Sequence, residues 1–215
     1  MTALYARAMT GEGRLVEVSM LEAVYPSLSS SLGLYYGTGG AIPPRTGNRH
    51  AGLAEAPYNV YPTSDGHIAI ICVSEAHWRF LTQAMNQPEL GDDPRYDTLK
   101  KRVDCVEDVD ALVGSFTAKW AKQPLFDLLM AHRVPCAPVR TLDEVVNDDH
   151  LHERGALQWI DHPMYGRVVL PHSPLRYQDQ PLAEIVPSGE LGRDNRDIYC
   201  GWLGLSAAEF DGLGE

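Results

Sequence analysis

The sequence predicts an α+β fold, and three features carry that expectation. Two extended runs, Tyr58–Pro62 and His67–Val73, flank the turn signal Ser64-Asp65-Gly66. Val109, Leu112, Val113, Phe116 and Trp120 recur at helical spacing and form the clearest amphipathic helix in the chain. A second pair of extended runs, Leu157–Ile160 and Arg167–Leu170, is joined through Pro163-Met164-Tyr165-Gly166. Strands joined by tight turns pair antiparallel, and the amphipathic helix needs a surface on which to bury its apolar stripe.

Taken in order, Met1 to Ala8 has helix-forming composition, and the two glycines of Thr10-Gly11-Glu12-Gly13 end that stretch. The chain therefore opens inside what reads as the last turns of a helix. GEGRLV lacks the third glycine of a dinucleotide-binding loop, and Leu15, Val16 and Val18 continue it as an extended apolar run. Ser19 and Glu22 have the S-x-x-E spacing of a capping box. Leu21, Val24, Tyr25, Leu28, Leu32 and Tyr35 then predict a helix over Met20–Tyr36, bent at Pro26, which has no N–H to donate. Its small residues, Ser27, Ser29, Ser30, Ser31 and Gly33, suit either close approach of another helix or a solvated face.

From Arg45 a long, charged, glycine-bearing loop runs straight into the hairpin, and the Asp65-Gly66 step is expected to supply the positive φ of a tight turn. Ser74 is placed to cap a helix that turns Trp78, Leu81 and Met85 toward the core. Asp104 and Glu107 are expected to cap the Val109 helix, and Pro124 to sit first in a helix over Leu125–Arg133. Pro135 and Pro138 force Val134–Val139 to be extended. Thr141 and Glu144 make a further capping box for Leu142–Asn147. Residues 171–192 shift to Pro, Gly, Gln and charge and read as a linker; a helix-like stretch over Asp194–Leu203 and a short helix capped by Ser206 and Glu209 follow. The plan is a helix and covering loop over residues 1–55, a compact α+β domain over 56–170, and a linker with helical tail over 171–215.

Composition narrows the function. The 215 residues carry a formal charge of -11, which repels phosphate backbones, and Lys and Arg form no basic stripe. No apolar run is long enough to span a bilayer and MTALYARAMTGEG has no signal-peptide core, so a cytoplasmic protein with neither membrane nor nucleic-acid partner is expected. Cys72, Cys105, Cys136 and Cys200 lie far apart without a CxxC pair, and the histidines lack ligand spacing; reduced, mostly buried thiols and no metal site are expected. Cys136, between prolines and apolar residues, reads as an inert thiol. Glu75 follows the second hairpin strand in the first turn of a helix, where it serves either the helix dipole or proton transfer. Arg45, Arg49 and His50 read as either an anion-binding group or solvated loop charges.

Five ordered blocks carry a resemblance: TGEGRLVEVSMLEA, RTGN leading into PYNVYPTSDGHIAI, DDPRYDTLKKRVD, RVPCAPVRTLDEV and HPMYGRVVL. They resemble the C-terminal half of the class III CoA-transferases, the CaiB/BaiF family, which includes formyl-CoA:oxalate and carnitine CoA-transferases and the related α-methylacyl-CoA racemases. The similarity extends through GRDNRDIYCGWLGLSAAEF, where Gly192-Arg193-Asp194-Asn195 stands in place of a GEHT-like run.

The resemblance implies that residues 56–170 are the family's small α/β domain, and that the flanking segments belong to its large, Rossmann-like domain. It implies CoA transfer between carboxylic acids through an acyl-aspartyl anhydride and a CoA thioester, with acyl-CoA and a free acid as substrates and no tightly bound cofactor. The family's nucleophilic aspartate precedes the TGEGRLVEVSM block and so falls outside this sequence. The expected partner is an N-terminal half or a full-length relative in an interlocked homo- or hetero-oligomer, with this chain inactive alone.

By position Arg45, Asn48, Arg49, His50 and Gly52 belong to the loop over the thioester. Only Gly52 remains of the glycine run of the formyl-CoA transferases, which implies a larger or less polar acyl group. Glu75 falls where the racemases carry an acid/base glutamate. Racemase-type α-proton exchange and a non-catalytic dimerisation or regulatory module stay open as alternatives.

Overall fold

A computed structural model describes residues 1–42 and 45–213. The chain forms two compact units, Met1–Val139 and Arg140–Glu215. In the first, α1 (Thr2–Thr10) ends at Gly11, whose left-handed backbone (φ 76°) returns its N–H to the Arg7 carbonyl. Next come α2 (Met20–Val24), a 3-10 turn over Tyr25–Leu28 and α3 (Ser29–Gly37). The tightened turn contains Pro26, where a missing N–H breaks the regular ladder. The capping box expected at Ser19 does not form: Ser19 holds the cap position, but its side chain accepts no helix N–H. This helix start is exposed, so water can satisfy its first donors.

The hairpin forms as expected, with β1 (Tyr58–Thr63) antiparallel to β2 (Gly66–Ile71), Tyr58 opposite Ile71 and Thr63 opposite Gly66. Its turn differs in conformation, because neither Asp65 nor Gly66 has a positive φ. Tertiary contacts hold it instead. The Asp65 carboxylate accepts the Lys122 N–H at 2.7 Å and the Thr63 hydroxyl at 3.1 Å, and the Ser64 N–H donates to the Trp120 carbonyl at 2.8 Å.

After the hairpin come α4 (Glu75–Ala84), α5 (Leu99–Asp104), α6 (Val106–Thr117), α7 (Lys122–Ala131) and β3 (Cys136–Val139). β3 pairs antiparallel with β2, giving the order β1-β2-β3. Ser74 caps α4 as predicted, its hydroxyl accepting the His77 N–H at 3.2 Å. The Asp104 cap is not made. Asp104 closes α5 and pairs with Lys100 one turn back at 2.7 Å, leaving Cys105 to precede α6. Pro124 is third rather than first in α7, still within the turn whose N–H groups need no helical partner.

One face of this sheet buries Tyr61, Ile68 and Ile70 against Trp78 and Leu81 of α4, Val109 and Val113 of α6, and Leu125 and Leu129 of α7. Each large side chain so buried contributes about 1.5–3 kcal/mol. The Trp78 indole N–H donates to the Leu90 carbonyl at 2.9 Å, so its one polar atom is satisfied inside the core.

The second unit contains α8 (Leu142–Val146), α9 (Asp149–Glu153), the antiparallel pair β4 (Leu157–His162) and β5 (Gly166–Pro171), a π-helical turn over Asp197–Trp202 and α10 (Ala207–Asp211). Both expected capping boxes form here, at Thr141 with Glu144 and at Ser206 with Glu209. Mixed helices and small antiparallel sheets are the α+β class that the sequence predicts. Among the described residues no helix is long and apolar enough to cross a membrane.

Candidate functional site

Strand alternation gives the first sheet a second apolar face. With Tyr61, Ile68 and Ile70 turned to the core, Tyr58, Val60, Ala69, Ile71 and Ala137 line the opposite side in register. They form part of the wall of a hollow of about 460 Å³, completed by Asn48, Asn59, Ile70, Pro135 and Cys136. This volume suits a small ligand or the reacting end of a larger one. None of the lining residues is charged.

The loop residues expected over a thioester divide between this hollow and its supports. Asn48 lines the hollow. His50 packs edge-on against Tyr58, another lining residue, with ring centroids 5.2 Å apart, and its Nδ1 accepts the Ala54 N–H at 3.3 Å. That hydrogen bond requires an unprotonated Nδ1, so His50 serves here as an acceptor that closes a turn of the loop.

Gly52 is required by its backbone, and any side chain there would have to displace Leu34. Its φ is 82°, and a Cβ there would lie 2.3 Å from Leu34 Cδ1 on α3. Gly52 is therefore a point at which the loop lies on α3. Arg45 is exposed.

Arg49 is committed elsewhere. Its Nε donates to Asp110 Oδ2 at 2.6 Å, the same oxygen that accepts the Asn59 amide at 3.0 Å. The other oxygen, Oδ1, accepts the Tyr61 hydroxyl at 2.6 Å. Burial, followed by this carboxylate, pushes the Tyr61 phenol far above its ordinary pKa, so it remains a donor. Asp110, its side chain 12% exposed, thus ties the loop to β1 and α6. Glu107 lies 4.0 Å from Arg49 but is largely exposed, too loosely held to compete.

Glu75 heads α4 directly after β2, as its position predicts, but it does not line the hollow. Its carboxylate accepts the Leu99 N–H at 3.1 Å, at the start of α5. That bond first, and then its own backbone N–H, hold the Glu75 carboxyl below its ordinary range. It is an ionised acceptor that fastens α5 to α4. Beside this junction the buried Arg102 donates Nε to the Ala56 carbonyl at 2.9 Å and Nη1 to the Tyr96 carbonyl at 2.8 Å. Arg102 thereby fixes the residue at which the loop enters β1.

The cysteines are less uniformly buried than expected. Cys72 is buried and the other three are half-buried, all as free thiols. Burial raises Cys72 to about 12 and Cys136 to about 11, which leaves both protonated near neutrality.

A hairpin-centred sheet, helices on one face and a loop-bounded apolar hollow of about 460 Å³ on the other define a small α+β domain. The model of CoA-transferase family III matches residues 1–195, and the chain belongs to that family. The formyl-CoA:oxalate CoA-transferase of Streptomyces coelicolor is 29% identical over 97% of this chain and 54% of its own length. The succinyl-CoA:mesaconate CoA-transferase of Haloarcula hispanica is 31% identical over 87% of this chain and 45% of its own. Among solved structures, a CaiB/BaiF family protein from Brucella suis superposes with a TM-score of 0.73 at 28% identity, over 93% of this chain and 51% of that one. The chain thus spans about half the length of these relatives.

Asp110 is the residue that sequence reasoning missed. It lies on the amphipathic helix beside the core position Val109, and helical spacing alone registers it as one more polar residue. An acid flanking the apolar stripe was the only available signal; its partners are 49 to 61 residues away in sequence.

Proposed function

We propose that this chain is the C-terminal portion of a cytoplasmic CoA-transferase, forming one wall and the covering loop of a site that moves CoA between carboxylic acids. In this reading a carboxylate outside the 215 residues attacks the thioester carbonyl, the C–S bond breaks, and the CoA thiolate leaves with the electron pair. The thiolate then attacks the enzyme-side carbonyl of the mixed anhydride, releasing the donor acid and leaving CoA as an enzyme thioester. An acceptor carboxylate reverses the two steps and departs as the new acyl-CoA. This chain contributes an apolar recess for the acyl group and a loop that excludes water from the anhydride.

The observation that carries the reading is the uncharged hollow bounded by Asn48 and the sheet, in a chain of the CoA-transferase family. The anchored state of Glu75 favours transfer over racemase-type exchange, since a general acid/base needs a carboxyl free to take and return a proton. The broad exposed apolar surface of α1 to α3, which includes Leu4, Met9, Met20, Leu21 and Val24, fits an N-terminal half or a second subunit of an interlocked oligomer.

Co-purification of the 215-residue chain with a separately expressed family large domain, followed by mass and activity measurements, tests this. A stable complex that exchanges CoA between an acyl-CoA and a free acid is expected. A stable complex that exchanges only the α-proton of a branched acyl-CoA with deuterated solvent supports racemisation instead, and one that does neither supports the non-catalytic module.

A further inference from the structure

We infer that the Arg49–Asp110 pair sets acyl specificity, keeping the loop's guanidinium out of the hollow so that the site accepts acyl groups with no second carboxylate. The inference rests on the functional reading above and deepens it.

Three observations support it. First, Arg49 follows Asn48, which lines the hollow, yet its own Nε is spent on Asp110 at 2.6 Å. Second, Asp110 is held by two further donors, the Asn59 amide and the Tyr61 hydroxyl, so the carboxylate cannot swing away with Arg49. Third, the surface the hollow presents is uncharged and largely apolar, with Tyr58, Val60, Ala69 and Ile71 on its wall. A carboxylate entering that space exchanges hydration for apolar contact without a counter-charge, which is strongly unfavourable. A straight or branched alkyl group loses nothing of the kind. Arg45, the other loop cation, is exposed and does not line the hollow.

The test compares butyryl-CoA, succinyl-CoA and free CoA as probes, added to the full 215-residue chain. Binding is read from the methyl resonances of Val60, Ala69 and Ile71. Butyryl-CoA is expected to shift these methyls with a Kd at least about tenfold below that of succinyl-CoA, the scale of one charge left without a partner. In Asp110→Asn, which removes the charge that holds Arg49, the ratio is expected to fall toward one; in Arg49→Gln it stays at or above the wild-type value.

Succinyl-CoA binding as tightly as butyryl-CoA in the wild type overturns the specificity inference and leaves the functional reading standing. So does an unchanged ratio in a folded Asp110→Asn chain. If neither thioester moves the hollow's methyls more than free CoA does, the inference fails, while the functional reading is decided separately by the complex with a large-domain half. Should Asp110→Asn not fold, the wild-type ratio and Arg49→Gln still decide the matter.

Discussion

Arg49 and Asp110 meet at 2.6 Å although 61 positions separate them in sequence, and this contact ties the loop that precedes β1 to α6. Removing Asp110 strands three donors at once. Asp110→Ala is expected to destabilise the chain by about 2–4 kcal/mol, because the buried Tyr61 hydroxyl and two further donors lose their shared acceptor. Urea denaturation monitored by tryptophan fluorescence checks this, and a loss below about 0.5 kcal/mol would show that the cluster does not bear on stability.

Gly52 is constrained by conformation and by contact, and a double substitution separates the two. Gly52→Ala is expected to cost about 1–3 kcal/mol from the left-handed backbone together with the clash on Leu34. Combining it with Leu34→Ala relieves the clash alone, so a coupling of roughly 0.5–1 kcal/mol in the double-mutant cycle is predicted. Strict additivity would mean that the loop does not rest on α3.

The Glu75 clamp predicts a pH dependence of defined sign. Its carboxyl is held below the unfolded value chiefly by the Leu99 N–H, so its contribution is fully present above the ordinary glutamate pKa of about 4.3. It is lost as pH falls through the lower folded-state value. In Glu75→Ala this part of the acid limb of the stability profile should disappear, together with about 0.5–1 kcal/mol at neutral pH, in line with the loss of a helix-cap bond. Thermal melts from pH 7 to pH 3 report both effects; an unchanged acid limb would remove the clamp from the account.

Cys136 should be a poor nucleophile despite its place beside the hollow. Burial moves its thiol from 9.0 to about 11, so alkylation at pH 7 should run roughly a hundredfold slower than for an unperturbed thiol. Peptide mapping after iodoacetamide treatment provides the rate. Labelling of Cys136 as fast as of a small-molecule thiol would contradict the buried environment.

Local patterns in the sequence were enough for most elements of the first unit. The hairpin, the Ser74 cap and the α6 stripe each depend on residues within a turn or two of one another, and each forms. Two of the misses share a cause, which is that another group took the side chain in question, whereas the Ser19 box fails at an exposed helix start. Asp104 is captured by Lys100, one helical turn away. The Asp65 side chain holds the turn through Lys122, so a positive φ is not needed there. The site was less legible than the fold. Asn48 does border the hollow, but the diversion of Arg49 depends on Asp110 lying opposite β1, and that pairing exists only once α6 has packed on the sheet.

In the relay proposed above, the reactive carboxylate comes from outside these 215 residues. The most direct test is to mix the chain and a large-domain half with acyl-CoA radiolabelled in the CoA moiety, quench in acid, and locate the covalent label by peptide mapping. Label confined to a carboxylate of the large-domain half, with none on Glu75, Cys136 or any other residue of this chain, is the predicted result. Stoichiometric label on a peptide of this chain would contradict it.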